Sequence, residues 1–203
     1  MPNREAVPLA EAQLDDAARA LALAFQNDPL QSYVLPDPEE RALRSPAHFA
    51  TLLRYGHLFG EVTTTQGTPE GAAVWQPPGS EITPERAVSA GFDRLPTLIG
   101  ADALERLGRV LDYLEAVHRR DVPPEHWYLM IVGVAPARQG QGVGRALLQP
   151  ILDKADAAGL PCYLDTAQPL TVPFYQKLGF RVLVETVDPE SGLRLRTFRR
   201  DPP

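Results

Sequence analysis

The chain has 203 residues, 44% of them hydrophobic, with a net charge of −6 and a pI near 5.2. That length and apolar content suit one domain over residues 1–203 with a single core, and the acidic balance excludes the concentrated basic face that nucleic acid requires. The lone Cys162 excludes an internal disulfide, and no apolar stretch near the start reads as a leader or a membrane span, so the chain is expected in the cytoplasm.

The first predicted element is a short strand, about Glu5 to Leu9. The spacing of Leu14, Ala17, Ala18, Leu21, Ala24 and Phe25 predicts an amphipathic helix that Pro29 ends. After the break at Pro36 to Pro38, Glu39 to His57 reads as a longer helix, with Leu43, Phe49 and Leu52 facing inward and Gly60 stopping it. Glu61 to Thr65 and Gly71 to Trp75 flank a turn-prone segment and predict a hairpin. Helices follow around Pro84 to Phe92 and Asp102 to Val117, then a central apolar strand from Trp127 to Val134. Beyond the next helix come a short strand, Cys162 to Thr166, and a helix around Pro173 to Leu178 that Gly179 caps. The last strands are Arg181 to Val187 and Leu193 to Arg199.

The junction after the central strand carries the most information. Ala135-Pro136-Ala137-Arg138-Gln139-Gly140-Gln141-Gly142-Val143-Gly144-Arg145 turns from strand to helix through three glycines at alternate positions. Such a turn brings backbone N–H groups close to an anion, and the helix start adds its unpaired N–H groups and positive dipole end, which suits a pyrophosphate. A Walker A loop is excluded because no Gly-Lys-Ser/Thr opens the helix. A dinucleotide fingerprint starting at Gly140 would need Gly or Ala where Arg145 stands, although Asp165 lies about where its ribose acid belongs.

Gln139-x-x-Gly142-x-Gly144 fits the pattern Gln/Arg-x-x-Gly-x-Gly/Ala, and Tyr175-x-x-Leu178-Gly179-Phe180 follows it downstream. Together they resemble the GNAT superfamily of N-acetyltransferases. Ala24-Phe25-Gln26-Asn27-Asp28-Pro29, Ala73-Val74-Trp75-Gln76-Pro77-Pro78, His118 and His126-Trp127-Tyr128-Leu129 extend the likeness to its puromycin N-acetyltransferase-like branch. The resemblance implies an α/β fold, a mixed twisted sheet of six to seven strands with helices on both faces, with acceptor-side elements mainly in residues 1–120 and the acetyl-CoA core mainly in residues 126–187. It implies acetyl-CoA as acyl donor without a metal, and a small-molecule amine as acceptor, with no role for nucleic acid or membrane; a homodimer is compatible with it.

By the same match, Val132 and Val134 take the pantetheine arm, and Val134 also offers an N–H to the thioester oxygen. Gln139, Gly140, Gln141, Gly142, Val143, Gly144 and Arg145 take the pyrophosphate, and Tyr175 returns a proton to the departing thiolate. Two positions depart from the branch. Asp165 stands where Glu is usual, and Thr171, beside the pantetheine arm, replaces Asn and brings no carboxamide. The acceptor's identity therefore does not carry over.

Acetyl transfer to an amine also needs a base, since an amine near its normal pKa is protonated at neutral pH. Asp165 is the first candidate, His118 and His126 the next, and Asp28 and Tyr33 are expected to line the acceptor side. Each has a plainer reading: a turn-capping carboxylate for Asp165, a complement to the helix dipole for His118, a helix start for Asp28 before Pro29. Trp75 and Trp127 read as core, and Cys162 as a small buried residue rather than a nucleophile. The non-catalytic alternative is an acyl-CoA-binding sensor or partner-binding module.

Overall fold

Among the described residues, 5–203 of the computed structural model, the apolar runs become one seven-stranded sheet. In chain order the elements are β1 (Ala6–Pro8), α1 (Leu14–Ala24), α2 (Pro29–Val34), α3 (Pro38–Phe59), β2 (Glu61–Thr65), β3 (Gly71–Gln76), α4 (Pro84–Ala90), α5 (Leu95–Ile99), α6 (Ala101–Asp121), β4 (Trp127–Val134), α7 (Val143–Ala158), β5 (Cys162–Thr166), α8 (Val172–Gln176), β6 (Arg181–Val187) and β7 (Arg194–Arg200). The strand order is β1-β2-β3-β4-β5-β7-β6. All neighbours are antiparallel except β4 and β5. A parallel pair cannot be joined by a tight turn, and α7 supplies the crossover.

The helices cover both faces, as the resemblance implied. On one face α7 and α8 bury Leu147, Ile151 and Tyr175 against Trp75, Leu129, Leu164 and Phe198. On the other, Leu21 of α1 and Phe49 and Leu53 of α3 pack on Val62, Ala72 and Val74. At the β5–β7 end of that second face, Val110 and Leu114 of α6 meet Ala167 and Leu195, with Leu30 and Tyr33 of α2 against them.

Three expectations change. Pro29 does not end the first helix: α1 stops at Ala24, and Pro29 starts α2. Asp28 is its N-cap, with Oδ1 accepting from the N–H of Leu30 at 2.9 Å and of Gln31 at 3.2 Å, and the proline ring suits the first helical position. Leu43 does not face inward but is 74% exposed. The inner stripe of α3 is set instead by Arg41, Ser45, His48 and Phe49, because Arg41 turns its guanidinium to carbonyls of the preceding loops, donating to Gln26 O at 2.7 Å, Pro36 O at 3.2 Å and Leu35 O. Finally, α5 was not anticipated, since a five-residue helix shows too little periodicity to be read.

His48 is one of the buried polar groups that this arrangement leaves unsatisfied. Its Nδ1 has no partner among the described residues, and burial pushes its pKa from 6.5 down to about 4. The unfolded chain therefore takes up a proton that the folded one refuses, so this contribution is intact above the unfolded pKa and is lost as pH falls from about 6.5 toward 4. The loss should reach roughly 3 kcal/mol. Urea unfolding near pH 7 and pH 4.5 should show a His48→Leu variant losing roughly 2 kcal/mol less than the wild type over that interval, whereas equal losses would remove His48 as the source.

Candidate active site

The site begins where β4 parts from β5. Along β3, β4 pairs from Gly71↔Val134 to Val74↔Ile131 and resumes at Trp75↔Leu129, so Met130 is an extra residue, a β-bulge. Along β5, pairing is confined to Trp127↔Cys162, Tyr128↔Tyr163 and Leu129↔Leu164. The bulge also resets which side chains face which layer. Leu129 packs into the α7 cluster, Ile131 turns to the α1 side, and Val132 and Val134 return to the α7 side. Gly133 backs onto α1 so closely that a Cβ there would lie 2.8 Å from both Leu21 and Phe25.

Backbone alternation then tells which edge is open. Ala135 N–H donates to Glu70 O at 2.8 Å, on the β3 side. Successive peptide groups of a strand point to opposite edges, so the N–H and C=O of Val134 and Val132 turn to the side that β5 has vacated. Gln139 occupies part of that edge, its Nε2 donating to Val134 O at 3.0 Å.

The loop beyond is braced from the hairpin. Arg138 pairs with Glu70 at 2.6 Å, and Gln141 Nε2 donates to Ala137 O at 3.0 Å. Gly140 and Gly142 have φ of 72° and 83°, the left-handed region that a side chain would strain. In α7 the N–H of Ala146 bonds back to Gly142 O at 3.1 Å, so the N–H groups of Val143, Gly144 and Arg145 precede any acceptor in the helix. Gly144 faces α8, where a Cβ would sit 3.3 Å from Phe174. Thr171 lies in the turn before α8, its hydroxyl donating to Gln168 O at 2.8 Å.

Tyr175 projects from α8 into the apolar layer between Phe174, Phe180 and Phe198, with ring centroids 5.2, 6.0 and 5.4 Å away. Gly179 at φ 88° reverses the chain, and Phe180 N–H closes on Tyr175 O at 3.1 Å. Burial raises the phenol's pKa, and the negative charges of Asp165 and Asp28 raise it further. The α2 start, the end of β5 and α8 thus share one electrostatic neighbourhood.

Asp165, one residue before the end of β5, lies on the opposite face of the sheet from Leu164, and its Oδ2 accepts the Tyr128 hydroxyl at 2.8 Å. Burial pushes its pKa from 3.8 to about 6, the Tyr128 bond pulls it down, and Glu115 pushes it up again.

His118 and His126 do not point at this carboxylate. Their Nε2 atoms are 2.7 Å apart, and His126 Nδ1 is 2.6 Å from Pro123 O. A carbonyl only accepts, so His126 carries its proton on Nδ1, and its Nε2 accepts a hydrogen bond from the Nε2–H of His118. The His118 ring stacks on Tyr163, 4.3 Å away at 6°. Burial, then His126, pushes its pKa down to about 4, against the pull of Glu115. Burial thus keeps His118 neutral against Tyr163, and the Nε2 atoms of the two rings face each other. Asp28 is a helix cap whose charge reaches Tyr175, and Tyr33 packs with Leu30 over α6. Tyr128 and Tyr163 were not singled out from the sequence. Only the β4–β5 register sets them side by side, one step before the strands part.

Comparison with known proteins agrees with this geometry. Residues 70–180 match the model of the acetyltransferase (GNAT) family. An uncharacterized N-acetyltransferase of Schizosaccharomyces pombe is 26% identical over 170 residues, 81% of this chain and 69% of that protein. N-alpha-acetyltransferase RimI of Mycobacterium tuberculosis is 31% identical over 103 residues, 51% of this chain and 52% of RimI. The chain thus spans about half the length of that second relative. Among solved structures, histone acetyltransferase HPA2 and related acetyltransferase from Corynebacterium glutamicum superposes with a TM-score of 0.71 at 22% identity, covering 98% of this chain and 96% of that one. The polyamine N-acetyltransferase of Drosophila melanogaster gives 0.65 at 18% identity, with 97% and 98% covered.

The stack of His118 on Tyr163 makes a test of its role. His118→Ala should cost about 2–3 kcal/mol in urea unfolding, and His118→Phe, which keeps a stacked ring, should recover about half of it or more. A wild-type-like alanine variant would overturn the packing role.

Proposed function

We propose that this chain, which belongs to the acetyltransferase (GNAT) family and is an acetyl-CoA-dependent acyltransferase, moves the acetyl group to a primary amine of a small molecule by direct attack. The observation that carries the reading is the parting of β4 from β5. It leaves the N–H and C=O of Val132 and the N–H of Val134 along an open edge that leads into the glycine turn, while Gln139 takes Val134 O. An extended pantetheine amide chain fits that edge as an added strand would, and the pyrophosphate fits the N–H groups from Gly140 to Arg145. Of the matched residues, Gln139 braces Val134 O, Gln141 braces the loop, and Thr171 borders the arm from the turn before α8.

The chemistry divides between two buried groups. Asp165 takes a proton from the ammonium, freeing the nitrogen lone pair, which forms the C–N bond at the thioester carbonyl. The oxyanion is met by an N–H of the open edge, with Val134 the nearest candidate. Collapse breaks the C–S bond, the Tyr175 phenol gives its proton to the thiolate, and the second nitrogen proton restores the phenol. The sum is ammonium plus thioester to amide, thiol and one released proton. A base poised near neutral pH and a phenol that stays protonated suit these roles, and both conditions follow from burial.

Acetyl-CoA should raise the melting temperature of the wild type, and Gly142→Glu, which places a carboxylate in the turn, should abolish that rise while still unfolding cooperatively. Thiol release should then be read with phenethylamine, putrescine and a peptide with an amino-terminal alanine. The peptide is included because one relative is named for N-alpha-acetylation. Asp165→Asn and Tyr175→Phe should each lower kcat by about 10²-fold or more with acetyl-CoA binding retained. Full activity in both variants would leave acyl-CoA binding without this chemistry, and turnover of the peptide alone would replace the small-molecule acceptor.

A further inference from the structure

Tyr128 stands in the last-but-one β4–β5 pair before the strands separate, opposite Tyr163. Its hydroxyl reaches along the same face of the sheet to Asp165, at 2.8 Å. The ring has little freedom to turn away. It lies against His118, 4.8 Å between centroids at 44°, and against Tyr163, 5.9 Å at 43°. His118 is itself held by stacking on Tyr163 and by its contact with His126. Three side chains, His118 from α6, His126 from the loop before β4 and Tyr163 from β5, therefore hold the Tyr128 hydroxyl on one oxygen of Asp165.

We infer that Tyr128 is a positioning residue for acetyl transfer: its hydroxyl, fixed by the aromatic stack beneath α6, holds Oδ2 of Asp165 and keeps that carboxylate charged while Oδ1 meets the amine. This rests on the reading of Asp165 as the base. A donor to the ionised form favours that form, and a carboxylate so held is both oriented and available near neutral pH. The other titratable and charged groups that share these surroundings are Glu115, His118, Arg119 and Asp121 on α6, His126 ahead of β4, Tyr163 on β5, Tyr175 on α8 and Asp28 before α2. Burial and Glu115 both favour the protonated acid, and the Tyr128 hydroxyl opposes them. Without it, Asp165 would enter each cycle already protonated over more of the physiological range.

Tyr128→Phe keeps the ring and removes the donor. With whichever panel amine releases thiol fastest, the acid limb of kcat/KM should move up by about one pH unit. The deficit should be about tenfold near pH 5, about twofold near pH 7 and absent near pH 9. Carbon-13 titration of the Asp165 carboxyl, assigned by its absence from Asp165→Asn, should show the same upward displacement without any acceptor present. A loss of equal size at every pH, with the carboxyl midpoint unmoved, would overturn the positioning role and leave Asp165 as the base. An Asp165→Asn enzyme that keeps both its rate and its acid limb would instead overturn the reading on which the inference rests.

Discussion

A strand in the middle of a sheet normally spends its backbone on two neighbours, and β4 keeps that arrangement on only one side. Its ladder with β3 runs the whole way to Val134, whereas its ladder with β5 ends at Leu129. Unpaired backbone groups inside a protein are costly, of order 1–3 kcal/mol each, so an opening of this kind does not persist by default. Several features hold it open. The Met130 bulge redirects the strand, Gly133 lets α1 approach without a side chain between them, and Gly144 lets α7 lie against Phe174. Glu70 then anchors the far end through both its carbonyl and its carboxylate. The opening is a product of packing on both faces of the sheet, held by a bulge, two glycines and the bonds of Glu70.

Burial sets the protons as surely as packing sets the backbone. The same removal from water that lifts Asp165 toward neutrality, where a base is most effective, lifts the Tyr175 phenol and keeps it protonated. The two effects have opposite consequences for the proposed chemistry. Asp165 gains basicity, and Tyr175 becomes a weaker acid. A thiolate expelled into the same dry layer is destabilised by that burial too, so the phenol and the thiol it protonates move in the same direction. Among the described residues, no arginine or lysine shifts the pKa of Asp165 or Asp28. A cation at this place, such as an acceptor ammonium, would meet negative charge that the protein has not already neutralised.

Much of this was legible in the sequence because it depended on local pattern. The edges of β4, β5 and β6 follow from apolar runs bounded by turn residues, and the turn after Val134 follows from its glycines. Two of the three loop glycines do require the left-handed conformation, while Gly144 has a different reason, its contact with α8. Leu43 shows the limit of periodicity: an apolar residue in helical phase was read as inward, but Arg41 had carbonyls to satisfy and took the inner stripe. Pro29 shows the limit of local punctuation, because a proline that ends one helix and one that begins the next look alike until Asp28 is seen capping it.

What no local pattern could show is which residues a register brings together. His118 and His126 are candidate bases by type, yet Pro123 O fixes the tautomer of one, Tyr163 stacks on the ring of the other, and their two Nε2 atoms are turned to each other. Their effect on the site passes through Tyr128, whose neighbours in sequence gave it no role. The parallel pairing of β4 with β5, which α7 makes possible and the bulge cuts short, is what sets that hydroxyl over Asp165, one pair before the ladder ends. A carboxylate held by its own strand's neighbour is fixed relative to the opening itself, so its place beside the open edge is set by the sheet and not by a loop.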